Sequence, residues 1–350
     1  MILDQLEVPI VLAPLAGGPT TPQLAAAVSN AGGLGFLAAG YLTAPALADQ
    51  IGAARQLTGG PLGVNVFVPG APAADGAVDA YVAALAGTAS RAGAELGRPR
   101  FDDDGWQAKL DLLAADPLPV TSFTFGCPDR DVVTALQAAG SEVWVTITTP
   151  AEAQQAEAAG ADVLVVQGSE AGGHRGSFRD DPASDDGFGL LALLQLVTAR
   201  SSRPLVAAGG IATGAGVAAV LAAGARAAQL GTAFLRSPEA GTSPVHRAAV
   251  AASGGTATTR AFTGRLARGI RNQFLDEHSA HAPAAYPEVH YLTAPLRAAG
   301  RSSGDAGLVN LWAGQAHELG RELPAAELVA LLADEAREAL RAAAGRLPSA

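Results

Sequence analysis

The sequence predicts an α/β fold in which eight parallel strands and their helices form a (β/α)8 barrel with an added, mostly helical cap. Two observations carry this prediction. Eight short apolar runs, rich in Val, Leu and Ala, alternate with helix-like stretches, and each run suits burial on both faces. Ala31-Gly32, Ala139-Gly140, Ala159-Gly160 and Ala223-Gly224 each stand between a helix and the next strand, where glycine takes the left-handed position that ends a helix. The 350 residues suffice for one such barrel, with a doubly wound open sheet as the structural alternative.

Taken in order, Pro9–Ala16 is a strand, and Thr21-Pro22 opens a helix to Asn30 with Thr as N-cap and Pro at the first helical position. Leu34–Gly40 is the second strand, and an Ala-rich helix starts near Ala44. Leu62–Val68 is the third strand and carries the polar Asn65 in an apolar run. Residues 69–119 break the rhythm with Pro/Gly-rich turns, a helix near Asp79–Leu96 and another near Trp106–Ala114. The alternation resumes with strands Val120–Gly126, Val143–Thr148 and Val163–Gly168 and helices Asp129–Ala139 and Pro150–Ala159. A charged loop, Phe178–Asp186, precedes the helix Gly187–Ala199. Pro204–Gly210, the helix Thr213–Ala223 and Ala227–Leu235 complete the eight strands. From Ser237 the pattern changes: 238–310 is loop-rich, and 310–347 reads as a helix, a break at Leu323-Pro324 and a long helix. The expected division is a barrel over 1–236, with an insertion at 69–119, and a mostly helical region over 237–350 that completes the cap.

Composition removes several function classes. Hydrophobic residues make up 49% and charged residues 16%, which fits a large core and excludes disorder. The net charge of −10 and the lack of any basic run speak against nucleic acid as a partner. Cys127 stands alone, which rules out an intrachain disulfide and an all-Cys metal site. No leader-like N-terminus and no apolar run near 18 residues is found, so the expectation is a cytoplasmic protein with no membrane partner. The glycine-rich dinucleotide fingerprint, the P-loop, the H-E-x-x-H helix and the nucleophile elbow are all missing.

The candidate site is built from strand ends. Val163–Gly176 is an apolar strand that runs through Gln167 into a loop with Gly172, Gly173 and His174. Gly209-Gly210 follow one strand, and Gln229-Leu230-Gly231-Thr232 occupy the end of the next. In barrels the loops after the last two strands often bind phosphate through backbone N–H groups. The plain alternative is that these glycines only permit tight strand–helix packing. Asn65 and Gln167 must find partners, either each other, a backbone loop, or the edge of a flat heteroaromatic cofactor, against which Ala13 and Leu15 would offer small or apolar contacts. His174 has three readings: base, electrophile or capping residue, with Glu170 and Arg175 orienting it or pairing outside the site. His278 and His281 are spaced as a metal pair but lack a third ligand, so no metal is expected. His246 and His290 read as surface or polar-network residues, and Trp312 as a packing anchor.

The segments PIVLAPLAGGPTTPQLAAAVSNAGGLGFL, VVQGSEAGGHRG, PLVAAGGIATGAGVAAVLAAGARAAQLGTAFL and TRAFTGRLARG resemble the bacterial nitronate monooxygenases, formerly 2-nitropropane dioxygenases. The resemblance spans most of residues 8–272. It implies a TIM barrel with non-covalent FMN that oxidises alkyl nitronates with O2 to a carbonyl compound and nitrite. It implies FMN contacts at Ala13, Asn65, Gln167, Gly172, Gly209 and Gln229 to Thr232, with Leu15, Gly173 and Gly210 beside them. Leu15 stands where the family often has Met. His174 matches the family's active-site histidine, and the favoured role is to hold the nitronate anion as a donor or cation, rather than to act as a base. FMN is expected over FAD because no Rossmann unit is present to hold an adenylate. Partners are then a small nitronate and O2, with a homodimer left open. Three alternatives remain: an FMN-dependent NAD(P)H reductase of a quinone or enoyl thioester; from another class, a flavin-free barrel lyase or isomerase of a phosphorylated substrate; and a non-catalytic flavin- or ligand-binding protein.

Overall fold

The computed structural model describes residues 1–181 and 187–346, so part of the predicted 178–186 loop lies outside the described residues. The barrel strands are β1 (Ile10–Leu12), β2 (Gly35–Ala38), β3 (Leu62–Phe67), β4 (Val120–Thr124), β5 (Glu142–Ile147), β6 (Val163–Gln167), β8 (Leu205–Ala208) and β9 (Ala227–Leu230). β7 (Gly173–His174) belongs elsewhere. The eight run parallel in the order β1-β9-β8-β6-β5-β4-β3-β2. A bridge between Val11 and Leu34 joins the two ends: Leu12 N–H donates to Leu34 O (2.9 Å) and Leu34 N–H to Ile10 O (3.0 Å). The ring is therefore closed, as the (β/α)8 prediction requires.

Alternation along each strand divides two cores. Leu164 and Val166 point out to the helices, while Val163 and Val165 point into the barrel with Val11, Phe36, Trp144 and Val206. Trp144 and Phe36 fill this interior with ring centroids 5.7 Å apart. Gly63 makes room for them, since a Cβ there would meet the Phe36 ring at 2.6 Å. Leu3 packs against the same layer, so the lower barrel is solid. Above that layer the inward-facing positions turn polar, with Asn65, Ser122, Thr124, Thr146 and Gln167.

The barrel helices are α1 (Pro22–Asn30), α2 (Ala44–Leu57), α5 (Arg130–Ala139), α6 (Pro150–Ala159), α7 (Leu190–Thr198) and α8 (Gly214–Ala222); α3 (Asp79–Ala92) and α4 (Trp106–Ala115) fill the insertion. Their caps follow the sequence. Thr21 Oγ1 accepts from Leu24 N–H, and Thr149 with Glu152 forms a reciprocal capping box. α3 stops at Gly93, in the left-handed conformation, three residues short of the predicted Leu96.

Two stretches differ from the sequence prediction. The loop-rich 238–310 contains α9 (Pro244–Ala251), β10 (Thr256–Thr259), β11 (Ala267–Ile270), α10 (Gln273–His278) and α11 (Glu288–Ser303). α11 escapes sequence reading because Pro295 lies inside it. Gly97 N–H donates to Leu292 O beside this proline (2.8 Å). β10, β11 and β7 form a three-stranded antiparallel sheet in which His174 faces Ala267 and Gly173 faces Arg268. The helix expected from residue 310 to the break at Leu323-Pro324 is not formed; the only helical piece in that stretch is a 3-10 turn at His317–Leu319, and the first α-helix after α11 is α12 (Ala325–Ala344). Unlike the rest of 237–350, α12 lies on the barrel wall. Leu328, Val329, Leu332 and Ala333 join the core shared with α1 and α8, and Glu335 Oε2 accepts from Gly214 N–H at the start of α8 (3.0 Å). Its position is that of an eighth barrel helix, reached only after the chain has built α9 to α11.

Candidate active site

A cavity of about 490 Å³ opens at the carboxyl ends of the strands. That volume lies in the ordinary range for a small-molecule or cofactor site. Its lining includes Ala13, Leu15, Asn65, Gln167, Gly172, Gly173, His174, Gly209, Gly210, Gln229, Gly231 and Thr232, while Leu230, within the expected Gln229 to Thr232 contact run, packs in the core instead.

The loops after β8 and β9 present bare backbone to this cavity. Gly209 and Gly210 hold φ of +112° and +68°, values that side chains rarely permit. Among the described residues the amides of Gly209, Gly210, Gly231 and Thr232 donate to no protein acceptor. Four free N–H groups at adjacent strand ends suit a phosphate. The α8 N-terminus is less available, because Glu335 and Thr213 already accept from Gly214 and Gly216. The Thr232 hydroxyl accepts from Gly314 N–H (3.0 Å), leaving the Thr232 backbone as the group that faces the cavity.

Other residues have a double task. Asn65 is 3% exposed, and its amide bonds Ser122 Oγ (2.8 Å) and Thr124 Oγ1 (3.0 Å). Both hydroxyls can donate or accept, so either amide orientation is satisfied and the other end of Asn65 is left for a cofactor edge. Gln167 holds the next loop from both ends, donating to His174 O (3.1 Å) and accepting from Gly176 N–H (2.8 Å). This is the backbone-loop alternative, and it shapes the site by fixing His174. Gly172 is required by a close approach, since a Cβ would meet Gly314 N at 2.4 Å. Glu170 and Arg175 pair outside the site: Glu170 accepts from Leu190 N–H, and Arg175 donates to Gln167 O and Thr148 O.

The His174 ring lies in an aromatic box, with centroids 5.6 Å from Phe125, 5.9 Å from Tyr286 and 5.5 Å from Trp312. Its Nε2 is 2.9 Å from Thr263 Oγ1. The Thr263 hydroxyl can donate to Arg265 O (3.3 Å), and in that arrangement Nε2 carries the hydrogen and Nδ1 keeps its lone pair. Burial, then the Arg265 and Arg297 guanidiniums, push the imidazole down to about 3. In the absence of a bound anion the ring is therefore neutral near pH 7, which favours the donor half of the expected donor-or-cation role. Such a ring is also a weak base.

Several lining residues were not singled out from sequence. Tyr41 and Phe125 hold positive φ of +68° and +78°, strained for non-glycine residues. Tyr41 stacks on His290 (4.2 Å, 4°) and meets the Tyr286 hydroxyl (3.2 Å). His246 and His290, expected at the surface or in a polar network, line the cavity; His246 Nε2 contacts Trp312 O (2.9 Å). Trp312 combines packing against Phe262 with a cavity face. Arg297 and Arg301 also line it, from α11. The only available signal was the helical spacing of His290, Ala294, Arg297 and Arg301, hidden by Pro295. His278 lies away from the cavity against Thr88 (2.8 Å), and no group of three metal-ligating residues occurs among the described residues.

A closed (β/α)8 barrel with a cofactor-sized cavity over its strand ends defines a barrel enzyme. The family model for nitronate monooxygenase matches residues 2–335, and the chain belongs to that family of oxidoreductases. A nitronate monooxygenase of Paraburkholderia phytofirmans is 42% identical over 348 residues, covering 96% of this chain and 94% of the relative. That of Pseudomonas aeruginosa is 42% identical over 353 residues, covering 95% and 97%. Among solved structures, the nitroalkane oxidase from Streptomyces ansochromogenes superposes with a TM-score of 0.96 at 54% identity, covering 98% of this chain and 99% of that one. FabK from Thermotoga maritima superposes at 0.77 with 26% identity, covering 99% and 97%. Neither the reductase nor the lyase alternative is favoured by these matches.

Proposed function

We propose that this protein oxidises alkyl nitronates with O2 to a carbonyl compound and nitrite, using FMN held in the cavity. The observation that carries the reading is the set of four free backbone amides at Gly209, Gly210, Gly231 and Thr232 beneath a cofactor-sized cavity. They would hold the phosphate, Asn65 would meet the ring edge, and Ala13 and Leu15 would pack beside it. When bound, FMN supplies the electron acceptance and the reactivity toward O2. The chain's own residues bind and orient the substrate. Phe125, Tyr286 and Trp312 flank the His174 ring and fix its position beside the substrate space. A neutral His174 with depressed basicity fits a substrate that arrives already deprotonated, as a nitronate does. A cytoplasmic location and a homodimer belong to the same reading, to be tested by cell fractionation and sedimentation.

The test has two parts. Acid-released flavin is separated by chromatography, with FMN expected and FAD refuting the single-phosphate cradle. Oxygen consumption is then measured with propionate 3-nitronate and compared with NADH plus a quinone. Turnover only with the second pair would replace the proposed reaction by the reductase one.

A further inference from the structure

The neutral state of His174 leaves open which group supplies positive charge to an anionic substrate. Arg297 is 6% exposed and lines the cavity. Its Nε donates to Thr293 Oγ1 (3.2 Å) and its Nη2 to His290 O (2.7 Å), both neutral acceptors. Among the described residues its Nη1 donates to no protein group, and no carboxylate lies within ion-pair distance of it. Arg301, one turn further along α11, lines the same cavity and likewise forms no ion pair among the described residues. Like charges four residues apart on a helix repel, and a buried guanidinium without a counter-ion is costly. The other buried arginine near His174, Arg265, donates to Ser177 O and Arg175 O, lies over the Phe125 ring, 4.1 Å from the centroid, and is not part of the cavity lining.

We propose that Arg297 is the residue that binds the nitronate anion, so that selection of nitronates over neutral nitroalkanes resides in α11 rather than in His174. A nitronate carries its charge on two coplanar oxygens, as a carboxylate does, and so matches a guanidinium fork. The bonds to Thr293 and His290 hold that fork in place and leave Nη1 for the ligand. Arg301 adds a second positive charge near the cavity mouth that attracts the anion. This inference rests on the proposed reaction for its ligand, although the anion site itself can be tested without turnover.

The probe is nitrate, a planar monoanion with the outline of the nitro group. Calorimetric titration of the FMN-loaded protein should show nitrate binding, weakened by about 10–100-fold in Arg297→Gln and largely kept in Arg297→Lys. With ethylnitronate as substrate, Arg297→Gln should raise KM by a similar factor while kcat stays within about threefold; KM for neutral nitroethane should hardly move. On the wild type, nitrate should compete with ethylnitronate. Nitrate affinity unchanged within about twofold in Arg297→Gln overturns the inference. So does failure of nitrate to compete on the wild type, a result that stands even if the variant does not fold. Nitrate binding that depends on Arg297 in a protein that turns over no nitronate would instead keep the anion site and refute the proposed reaction.

Discussion

Lys109, the only lysine in the chain, is fully buried in α4, with its Nζ 2.7 Å from Asp104 Oδ2. Asp104 is 18% exposed, and its other oxygen accepts from Tyr41 N–H (2.8 Å). Burial raises the Asp104 carboxyl, and Lys109 opposes that rise. Lys109→Met keeps most of the apolar stem but strands the carboxylate. Breaking a buried pair from one side costs about 3–5 kcal/mol, and the partial exposure of Asp104 places this case near the lower end, at about 3 kcal/mol. The double variant Lys109→Met with Asp104→Asn removes both charges and still offers Tyr41 an oxygen, so most of the loss should return. Denaturant unfolding of the wild type, both single variants and the double variant at fixed FMN concentration measures the coupling. The site should respond too. Tyr41, at positive φ, donates its N–H to Asp104 and stacks on His290 in the cavity wall, so Lys109→Met should raise KM for the nitronate. A cost for Lys109→Met below about 1 kcal/mol, or a double variant as unstable as the single one, would refute a stabilising pair.

Three further outcomes are expected. A Cβ at Gly209 would meet Ala171 N at 3.1 Å and Gly168 O at 3.2 Å, so Gly209→Leu should yield colourless protein; full FMN content, read by absorbance, would remove this loop from the phosphate site. His174→Gln keeps a donor at the Nε2 position for Thr263 but removes the Nδ1 lone pair, the only acceptor the ring offers to the α-proton of a neutral nitroalkane, so oxygen uptake should fall with nitroethane and stay within about tenfold with ethylnitronate, whereas equal losses would return anion binding to His174. Burial holds His246 at about 4, below its ordinary 6.5, so the unfolded chain takes up the proton first as pH falls. The stability this group contributes is complete above pH 6.5 and declines toward pH 4, at up to about 1.4 kcal/mol per pH unit. Unfolding midpoints across that window should flatten in His246→Gln, and an unchanged slope would assign the proton elsewhere.

The barrel was legible because its strands must be apolar on both faces and its helices end on glycine. Val163–Gln167 and Pro150–Ala159 fall where the pattern puts them, and the cavity floor follows from glycines at strand ends. The cavity roof was far less legible. Pro295 disguises α11, and β10 and β11 pair with a strand of only two residues, Gly173–His174. Local pattern cannot reveal a partner 89 positions away, such as Thr263 for His174. Nor does spacing show that Gln167 serves the loop it precedes, or that Gly172 is small for the sake of Gly314.

The position of α12 has a consequence for how the molecule comes into being. Synthesis delivers α1 first and α8 more than 190 residues later, yet both share an apolar seam with Leu328, Val329 and Leu332. Until α12 has left the ribosome, that seam faces solvent and the Gly214 amide has no Glu335 to bond. A nascent chain halted between residues 230 and 325 would carry all eight barrel strands with one open flank, a surface suited to chaperone capture. The groups that cover the active site are therefore made before the wall beneath them is sealed, and maturation should be limited by the docking of α12.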